Sequence, residues 1–460
     1  GSNIRVDARG RTILRVLPRL HEDINEEWIS DKARFANDGL RRQRLDRPYV
    51  RRDGRLHAAS WDEAFSAIAE RLKSTDGTRM AAIAGDQACA ESMVVLKDLM
   101  AALGSPHIDC RQDGAKLDAS IRSSYLFNTT ISGIEDADAC LMIGTNPRWE
   151  AALVNARLRK RYLAGGFRVL SVGPQPDLTF PVEVLGAGPD TLSAFGNGTH
   201  EAAQVLTNAE RPMVIVGQGA LAREDGAAVL GAARRIAENS NAVRDDWNGF
   251  NVLHTAAARV AGLDLGLVPG EGGRDVAGII DGAAKGEIDA VFLLGADEID
   301  VAAMGEAFVI YLGHHGDKGA GRADVVLPGA AYVEKNATWV NTEGRVQLGH
   351  RAVFPPGDAR EDWAIIRALS EVMGCTLPYD DLGSVRRRMA EVAETFNIID
   401  VIQPAPWGQF GSDAAPDAEP FTTPIDDFYM TDAICRSSET MAACSVQILG
   451  NGSKATGIDG

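Results

Sequence analysis

The chain has 460 residues and a net charge of −17 at pH 7, with a composition that is 45% hydrophobic and 24% charged. A chain of this length exceeds one ordinary domain, so we expect several packed units. The negative charge argues against nucleic acid as a partner. No stretch approaches the roughly 18 apolar residues that cross a bilayer, and we therefore expect no direct insertion into a membrane.

The first 60 residues differ from the rest because they carry 14 Lys and Arg against 9 Asp and Glu. The excess lies in a strip of seven arginines, Arg41, Arg42, Arg44, Arg47, Arg51, Arg52 and Arg55. Such a strip is either a solvated face or a docking surface for an acidic neighbour. The sequence alone leaves both interpretations open.

The first elements in chain order are a hairpin and a helix. Ile4 and Val6 alternate with polar residues, and a turn follows at residues 7–12, which is typical of paired strands. Ser60 precedes Glu63 by three positions, the spacing of a capping box that begins a helix. The apolar residues that follow the capping box recur at helical spacing and are expected to pack in the core. They are Trp61, Phe65, Ile68 and Leu72.

Short apolar runs then alternate with helical segments. The predicted strands are 80–84, 139–143, 168–172, 213–216, 290–294, 308–312 and 324–327. Most of them end at a glycine, which permits a tight turn into the next segment. Continuous apolar strands indicate burial on both faces, as in parallel sheets covered by helices. The sequence therefore predicts an α/β fold with doubly wound, mainly parallel sheets, arranged as two Rossmann-like domains after a small β-rich N-terminal unit.

The last 60 residues change character. Residues 403–424 contain five prolines and few apolar runs, which predicts a linker or an extended arm. Residues 433–449 favour a final docked helix, and residues 450–460 are expected to fray.

Three loops are candidate sites, and each has a purely structural alternative. Residues 144–150, GTNPRWE, follow a predicted strand at the place where α/β folds present backbone amides to ligands, and a plain turn explains them equally well. Gly217-Gln218-Gly219 lacks the full dinucleotide-binding spacing. His314-His315-Gly316-Asp317 has the composition of a metal or acid–base cluster, but adjacent histidines on a strand would point to opposite faces, which disfavours a shared metal. A polar loop at the end of the strand is the structural alternative.

The six cysteines are scattered along the chain as Cys89, Cys110, Cys140, Cys375, Cys435 and Cys444. No two of them have the spacing of zinc or iron–sulfur motifs, so we predict no cluster bound by this chain. Cys140 lies in an apolar run and is expected in the core. From the residues alone we assign no catalytic, no cofactor-binding and no metal-binding residue.

Several segments resemble the molybdopterin oxidoreductase superfamily, namely ADVVLPGAAYVEK at 323–335, VNTEGRVQ at 340–347, SWDEA at 60–64, RLDRP at 44–48 and GTNP at 144–147. Within that superfamily, three more segments are similar to the large peripheral-arm iron–sulfur subunit of respiratory complex I: NEEWISDK at 25–32, DCRQDG at 109–114 and DDFYMTD at 426–432. The resemblance covers residues 1 to about 445, which is nearly the whole chain.

The resemblance implies three regions. Residues 1–55 would be a small β-rich remnant of the [4Fe–4S] Mo/W bis-MGD-type domain. Residues 56–400 would form the molybdopterin oxidoreductase-like α/β region, expected as two domains with 115–205 inserted in the other. Residues 401–460 would be a Pro-rich linker and tail. The chain begins without Met or a signal-peptide pattern, so we expect a fragment or processed product whose missing N-terminal part carries the 2Fe–2S and 4Fe–4S clusters.

The function implied is that of a subunit of NADH:quinone oxidoreductase, which transfers electrons from NADH to quinone and couples this to proton translocation. This part would be a non-catalytic scaffold, with other peripheral-arm subunits as partners. It would lie on the respiratory membrane, on the cytoplasmic side of a bacterial inner membrane or the mitochondrial matrix side. The alternative is a molybdopterin-dependent, formate dehydrogenase-like oxidoreductase.

Two residues bear on that alternative through the resemblance. Ser30 stands where the molybdenum enzymes carry the last cysteine of their cluster. Counting back from Gly144 by the family's interval places the metal-ligating position near Cys110, which would otherwise be a relic or a packing thiol. Because Ser30 replaces a cluster ligand and no C-terminal pterin-binding barrel has room, molybdopterin is not expected.

Overall fold

The computed structural model describes residues 2–450. Its strands are β1 Ile4–Arg9, β2 Thr12–Pro18, β3 Tyr49–Arg52, β4 Arg55–Ala58, β5 Met80–Ala84, β6 His107–Asp109, β7 Ala139–Ile143, β8 Arg168–Val172, β9 Glu183–Gly186, β10 Pro212–Val216, β11 Val243–Arg244, β12 Trp247–Asn248, β13 Phe250–Val252, β14 Ala290–Leu294, β15 Phe308–Gly313, β16 Val325–Pro328, β17 Ala337–Val340 and β18 Val346–Gly349.

The α-helices alternate with these strands. They are α1 Asp31–Phe35, α2 Trp61–Leu72, α3 Ala90–Ala102, α4 Pro147–Glu150, α5 Ala152–Leu163, α6 Pro189–Gly196, α7 Ala203–Thr207, α8 Gln218–Leu221, α9 Gly226–Asn239, α10 Arg259–Asp264, α11 Val276–Ala284, α12 Lys318–Arg322, α13 Asp362–Val372, α14 Leu382–Val392, α15 Ala433–Arg436 and α16 Glu439–Leu449. In the described part of the chain, no helix is long and apolar enough to cross a membrane.

A seven-stranded sheet is the centre of the larger domain. Its strand order is β4-β3-β16-β15-β14-β5-β6. The five strands from β16 to β6 are parallel, whereas β3 pairs antiparallel with both β16 and β4. Every residue of β5 and β14 is buried, because separate apolar clusters cover the two faces of this sheet. This confirms the predicted α/β class with parallel strands that are buried on both faces.

A second, fully parallel sheet has the strand order β13-β10-β7-β8-β9. All of its strands lie between β6 and β14 in the chain, so this domain is inserted in the first one. The predicted insertion of 115–205 was too short, because β10 and β13 complete the same sheet and extend it to Val252. The boundary at residue 55 was also misplaced, since β3 and β4 belong to the seven-stranded sheet.

The seven predicted strands are present as β5, β7, β8, β10, β14, β15 and β16. The capping box at α2 is present, with Ser60 and Glu63 each bonding the other's backbone amide. The predicted hairpin forms from β1 and β2. The final helix is instead two helices, because Ser438 accepts a hydrogen bond from the Met441 amide at 3.0 Å and begins α16 afresh. Residues 451–460, which include most of the segment expected to fray, lie outside the described residues.

The C-terminal part crosses both domains. Residues 401–432 contain no helix or strand, in agreement with the extended arm predicted for 403–424, and α15 follows. We name residues 401–436 the C-terminal strap. The ring of Phe250 in the inserted domain packs against Trp407 and Phe410 of the strap, with ring centroids 5.4 and 5.2 Å apart. At its other end the strap reaches the larger domain.

Candidate functional site

The carboxyl ends of the parallel strands are the places where α/β folds bind ligands. In the larger domain, β14 and β15 end beside Gly295 and Gly313, and a cavity of about 20 Å³ lies there. Such a volume holds roughly one water molecule. Polar side chains line it, namely Gln87, Asp297, Glu298, His314, Lys335, Asp362 and Asp432. The carboxyl edge of this sheet is therefore polar and almost filled by protein.

The lysine of this cavity is already paired. Lys335 Nζ lies 2.5 Å from Asp362 Oδ2, and both side chains are buried. Ser92 Oγ donates to the same carboxylate oxygen at 3.2 Å, and Cys89 Sγ lies 3.0 Å from Ser92 Oγ. Burial raises the pKa of Cys89 to about 11. Cys89 is therefore a protonated thiol at neutral pH, in a satisfied hydrogen-bond chain.

His314 and His315 contact each other directly. Their Nδ1 atoms are 2.5 Å apart, and His315 Nε2 lies 2.8 Å from the Gly39 carbonyl oxygen. The expectation of opposite faces was wrong because both residues lie beyond the end of β15, where strand alternation no longer applies. Burial lowers the pKa of both, that of His315 to about 4. The Nδ1 atoms are too close for a metal ion between them, since each Zn–N bond alone is about 2.0 Å.

Cys110, the candidate metal ligand, lies in the core directly after β6. Its side chain is packed so tightly against α10 that a Cβ at Gly262 would lie 2.7 Å from Cys110 Sγ. Burial raises the pKa of the Cys110 thiol to about 12. The nearby guanidinium of Arg259 is 1% exposed and forms an ion pair with Asp113 at 2.9 Å.

These neighbours do not fit a molybdenum centre. The Cys110 sulfur is packed against Gly262 of α10, so a metal ion would have to displace this helix to reach it. Within residues 2–450, several buried atoms of this cluster lack a protein hydrogen-bond partner: Nε and Nη1 of Arg259, Oδ1 of Asp86, Oδ2 of Asp113 and Oε1 of Gln112. Donors and acceptors are interleaved there, which suits water because water both donates and accepts.

The inserted domain brings two predicted loops together at the carboxyl edge of its sheet. Gly144 has φ +54° and packs against Ala220 of α8. A Cβ at Gly217 would collide with Thr145, and one at Gly219 would collide with the Thr422 carbonyl oxygen of the strap. The glycines therefore allow segments of this chain to approach each other. The space beside Gly217 and Gly219 is filled by this chain, so these glycines do not leave room for a dinucleotide.

Glu150 is the buried acid of this edge. Its Oε1 accepts hydrogen bonds from Thr145 Oγ1 at 2.9 Å and from the Asn146 amide at 2.5 Å. Burial raises the pKa of Glu150 to about 7. The adjacent cavity of about 20 Å³ is closed on one side by residues 422–424 of the strap.

The strap covers the carboxyl edge of both sheets. In the inserted domain, the Phe421 amide donates to the Ala187 carbonyl oxygen at 2.9 Å. In the larger domain, Asp432 and Ala433 line the polar cavity. Arg436 then pairs with Glu298 at 2.8 Å and with Asp317 at 2.5 Å. The sequence analysis did not identify Arg259, Glu298 or Arg436. Each of them pairs with a residue that is at least 119 positions away in the chain, so no local pattern indicates the pair.

Ser30 has a local structural role. Its Oγ accepts a hydrogen bond from the Ala33 amide at 3.1 Å and caps α1. The Ser30 hydroxyl is thus used within this chain as a helix cap. Among the described residues, no group of three or more His, Cys, Asp or Glu side chains is arranged to hold a metal ion.

Most arginines of the strip form ion pairs or hydrogen bonds with other residues of this chain. Arg44 pairs with the buried Glu334, and Arg51 donates to the Ala323 and Gly321 carbonyl oxygens. Arg42, Arg47 and Arg52 form exposed ion pairs with Glu439, Asp46 and Glu63. The strip is therefore not one uniform surface, and a docking role for it remains a prediction that concerns the exposed members.

Three family models match the chain in succession. The molybdopterin oxidoreductase model matches residues 44–372. The chain belongs to the molybdopterin oxidoreductase family. The model for the NADH-ubiquinone oxidoreductase NDSU1/NuoG-like 4Fe-4S domain matches residues 1–38, and the C-terminal model for the same type of NADH-ubiquinone oxidoreductase subunit matches residues 401–444. Part of a 4Fe–4S domain is thus present at the N-terminus.

Curated relatives are similar along nearly the whole chain. The NADH dehydrogenase [ubiquinone] iron-sulfur protein 1 of Solanum tuberosum is 48% identical over 97% of this chain and 60% of its own length. The 78 kDa subunit of NADH-ubiquinone oxidoreductase from Candida albicans is 46% identical, over 96% and 62%. An NADH-quinone oxidoreductase subunit of Rickettsia conorii is 43% identical, over 96% and 64%. These names confirm the predicted resemblance, although the chain spans only about 60% of the relatives' length.

Solved structures share the fold at low sequence identity. Acetylene hydratase from Pelobacter acetylenicus superimposes with a TM-score of 0.65 at 15% identity, over 86% of this chain and 71% of that one. The formyltransferase/hydrolase complex of Methylorubrum extorquens gives a TM-score of 0.53 at 19% identity, over 71% and 98%. The predicted fold class is thereby confirmed.

Proposed function

We propose that the chain is the scaffold part of the large iron–sulfur subunit of an NADH:quinone oxidoreductase. The parent enzyme passes electrons from NADH through iron–sulfur clusters to quinone and couples this to proton translocation. This part binds no cluster and no pterin. Its partners are other peripheral-arm subunits, and it lies peripherally on the respiratory membrane, on the cytoplasmic or matrix side. The names and identities of the curated relatives support this proposal.

The observation that carries the scaffold role is the closure of both carboxyl edges by the strap. A cofactor-binding α/β protein needs a cleft at that edge. Here the cavities at the two edges are about 20 Å³ each, and strap residues line both. A pterin or a dinucleotide would have to displace Thr422 in one domain and Asp432 in the other.

The clusters are assigned to the part of the parent that precedes this chain. The model for the C-terminal region matches residues 401–444, and a 4Fe–4S domain is partly present at residues 1–38. Four of the six thiols in this chain, Cys89, Cys110, Cys140 and Cys435, are buried, and burial raises the pKa of each. The six cysteines also lack the spacing of iron–sulfur motifs.

A molybdopterin-dependent oxidoreductase of the formate dehydrogenase type is the second candidate. The family match and the position of Cys110 after β6 favour it. The tight packing of Cys110 against Gly262 opposes it, because a metal ion would have to reach that buried sulfur.

The test measures iron, acid-labile sulfide and molybdenum in the purified enzyme that contains the full-length parent subunit. NADH-to-quinone activity is measured in membranes. We expect activity, iron and sulfide to depend on the preceding part, and no stoichiometric molybdenum. The separately purified chain is expected to contain neither iron nor acid-labile sulfide. Molybdenum at one equivalent per parent chain would favour the second candidate, and iron at stoichiometric levels in the chain itself would refute the assignment of the clusters.

A further inference from the structure

We propose that Asp86 and Glu298 form a carboxyl pair that binds one exchangeable proton at neutral pH. The pair lies at the carboxyl edge of the larger domain's sheet, where α/β folds place their functional groups. Its ligand is the proton itself, delivered by water. Such a proton site is an additional property of this edge and does not depend on the proposed function.

Three neighbouring strands bring the groups of this site together. β14, β5 and β6 lie side by side in the seven-stranded sheet and run parallel. Glu298 follows the end of β14 by four residues, Asp86 follows β5 by two, and Gln112 follows β6 by three. Because parallel strands end at the same edge of a sheet, these three side chains can meet there.

The Gln112 amide bridges the two carboxyls. Its Nε2 donates to Glu298 Oε2 at 2.8 Å, and its side chain also forms a hydrogen bond with the Asp86 carboxyl. Within residues 2–450, Asp86 Oδ1 and Gln112 Oε1 are buried acceptor atoms that lack a donor from the protein. A protonated Asp86 adds a donor to this set, because a carboxylic acid both donates and accepts whereas a carboxylate only accepts.

The two guanidiniums beside the pair are already engaged by other carboxylates. Arg259 forms an ion pair with Asp113 at 2.9 Å, and Arg436 is divided between Glu298 at 2.8 Å and Asp317 at 2.5 Å. The titratable and charged groups that face the pair are Asp113, Arg259, Asp297, Tyr311, Arg436 and Asp432. Carboxyls outnumber guanidiniums in this set, so full ionisation of the pair would bury uncompensated negative charge.

Burial makes the second ionisation of the pair unfavourable. Burial, and then the charge of Glu298, raise the pKa of Asp86 to about 7, and burial also raises the pKa of Glu298. Two carboxyls that share a site lose their protons in separate steps, because the first negative charge opposes the second. The second proton is therefore held up to about neutral pH. The Glu298 side chain is 20% exposed, so water reaches the pair and the proton can exchange.

Infrared difference spectroscopy of the full-length protein between pH 5.5 and pH 8.5 tests the pair. The C=O stretch of a protonated carboxyl disappears on ionisation, and ¹³C labelling of the aspartate carboxyls identifies the bands of aspartic acids. We expect one such band of the wild type to titrate near pH 7 and to be missing in Asp86→Asn. Burial raises the pKa of Asp297 to about 7 as well, so its band should persist in that variant. Glu150→Gln is the matched control, because it removes another buried acid and should leave both aspartic acid bands in place.

Glu298→Gln distinguishes a pair from a single buried acid. It removes the neighbouring negative charge, so the midpoint of the Asp86 band should fall by at least about one pH unit, a tenfold loss of proton affinity. An unchanged midpoint would show that burial alone holds the proton and would overturn the pair. Spectra of Asp86→Asn that lose the same bands as the wild type would place the proton elsewhere. Labelled wild-type protein in which no aspartic acid band titrates above about pH 6 would overturn the proposal without any variant.

Discussion

The guanidinium of Arg44 and the carboxylate of Glu334 form two parallel hydrogen bonds of 2.6 Å each. The exposed fractions of their side chains are only 10% and 4%. Glu334 also accepts from the Ala331 amide at 2.9 Å, and Arg44 also donates to the His314 carbonyl oxygen at 3.0 Å. Two sequence motifs that carry the family resemblance, at 44–48 and 323–335, therefore meet in one buried ion pair.

Removing one partner of this pair should be costly. We expect Arg44→Ala or Glu334→Ala to lower the free energy of unfolding by about 3–5 kcal/mol, because the remaining charge stays buried and unpaired. The double variant Arg44→Met/Glu334→Leu should lose less, since no charge is left behind. Denaturant unfolding of each variant measures this. Arg52→Ala is the control, because its pair with Glu63 is exposed and should cost less than about 1 kcal/mol. Equal losses at the two arginines would contradict the prediction.

Cys110 is expected to be chemically inert and dispensable for electron transfer. With its pKa raised to about 12, roughly one thiol in ten thousand is ionised at pH 8. Maleimide should modify the half-buried Cys375 and Cys444 first, and mass spectrometry of the folded protein reports the order. Cys110→Ser should leave NADH-to-quinone activity of the assembled enzyme unchanged. Loss of that activity with assembly intact would mean that Cys110 has a catalytic role.

Local sequence signals predicted seven strands of the two large sheets and the start of α2. The predicted strand 139–143 is β7, and 290–294 is β14, because short apolar runs bounded by glycine have few alternatives when both faces are buried. Ser60 and Glu63 specified the start of α2 through two hydrogen bonds within four residues. The family motifs added the order of the domains. These features depend on neighbours in sequence, and a single sequence shows them.

Long-range pairing could not be predicted from the sequence. The sequence does not show that the inserted domain continues past residue 205, because β10 has the pattern of any buried strand and nothing local indicates that it pairs with β7. The closing of the site by the strap depends on Arg436, whose partner Asp317 is 119 residues away. The placement of Arg259 beside Asp113 and Cys110 belongs to no motif. Such contacts are set by tertiary packing, which sequence periodicity does not encode.

Glu150 should make stability depend on pH. Its carboxyl has a pKa of about 7 in the folded protein, against an ordinary value of 4.5. Folded protein therefore binds a proton that the unfolded chain has released between these values, so stability must fall as pH rises from about 4.5 to about 7 and then level off. The shift corresponds to about 3 kcal/mol. Urea unfolding at pH 5, 6, 7 and 8 measures it.

A matched pair of variants isolates this contribution. Glu150→Gln keeps the oxygen that accepts from Thr145 and Asn146 but carries no titrating proton, so its stability should fall less between pH 5 and pH 8 than that of the wild type. Glu371→Gln, on the exposed side of α13, should retain the full decline. An identical pH dependence in wild type and Glu150→Gln would show that the buried carboxyl does not titrate in this range.

The strap should be held mainly by Arg436. Its guanidinium is 7% exposed and pairs with Glu298 and Asp317, whose side chains are 20% and 1% exposed. Arg436→Ala leaves both carboxylates without this partner, and we expect a loss of about 3–5 kcal/mol. Arg42→Ala is the control, because the pair of that arginine with Glu439 is exposed. Hydrogen exchange over residues 421–436 reports the detachment of the strap.

The pKa of His314 in Arg436→Ala shows whether the ion pairs of Arg436 keep the strap over the carboxyl edge of the larger domain. If the strap closes the larger domain's carboxyl edge, Arg436→Ala should speed exchange at residues 421–436 and also expose the cavity beside His314, whose burial lowers its pKa. The His314 pKa should then rise toward its ordinary value of 6.5, which NMR titration of the ring measures. Exchange that increases only in the strap, with the His314 pKa unchanged, would show that Asp432 and Ala433 remain in place without Arg436. The closure would then depend on the packing of α15 rather than on its buried ion pairs.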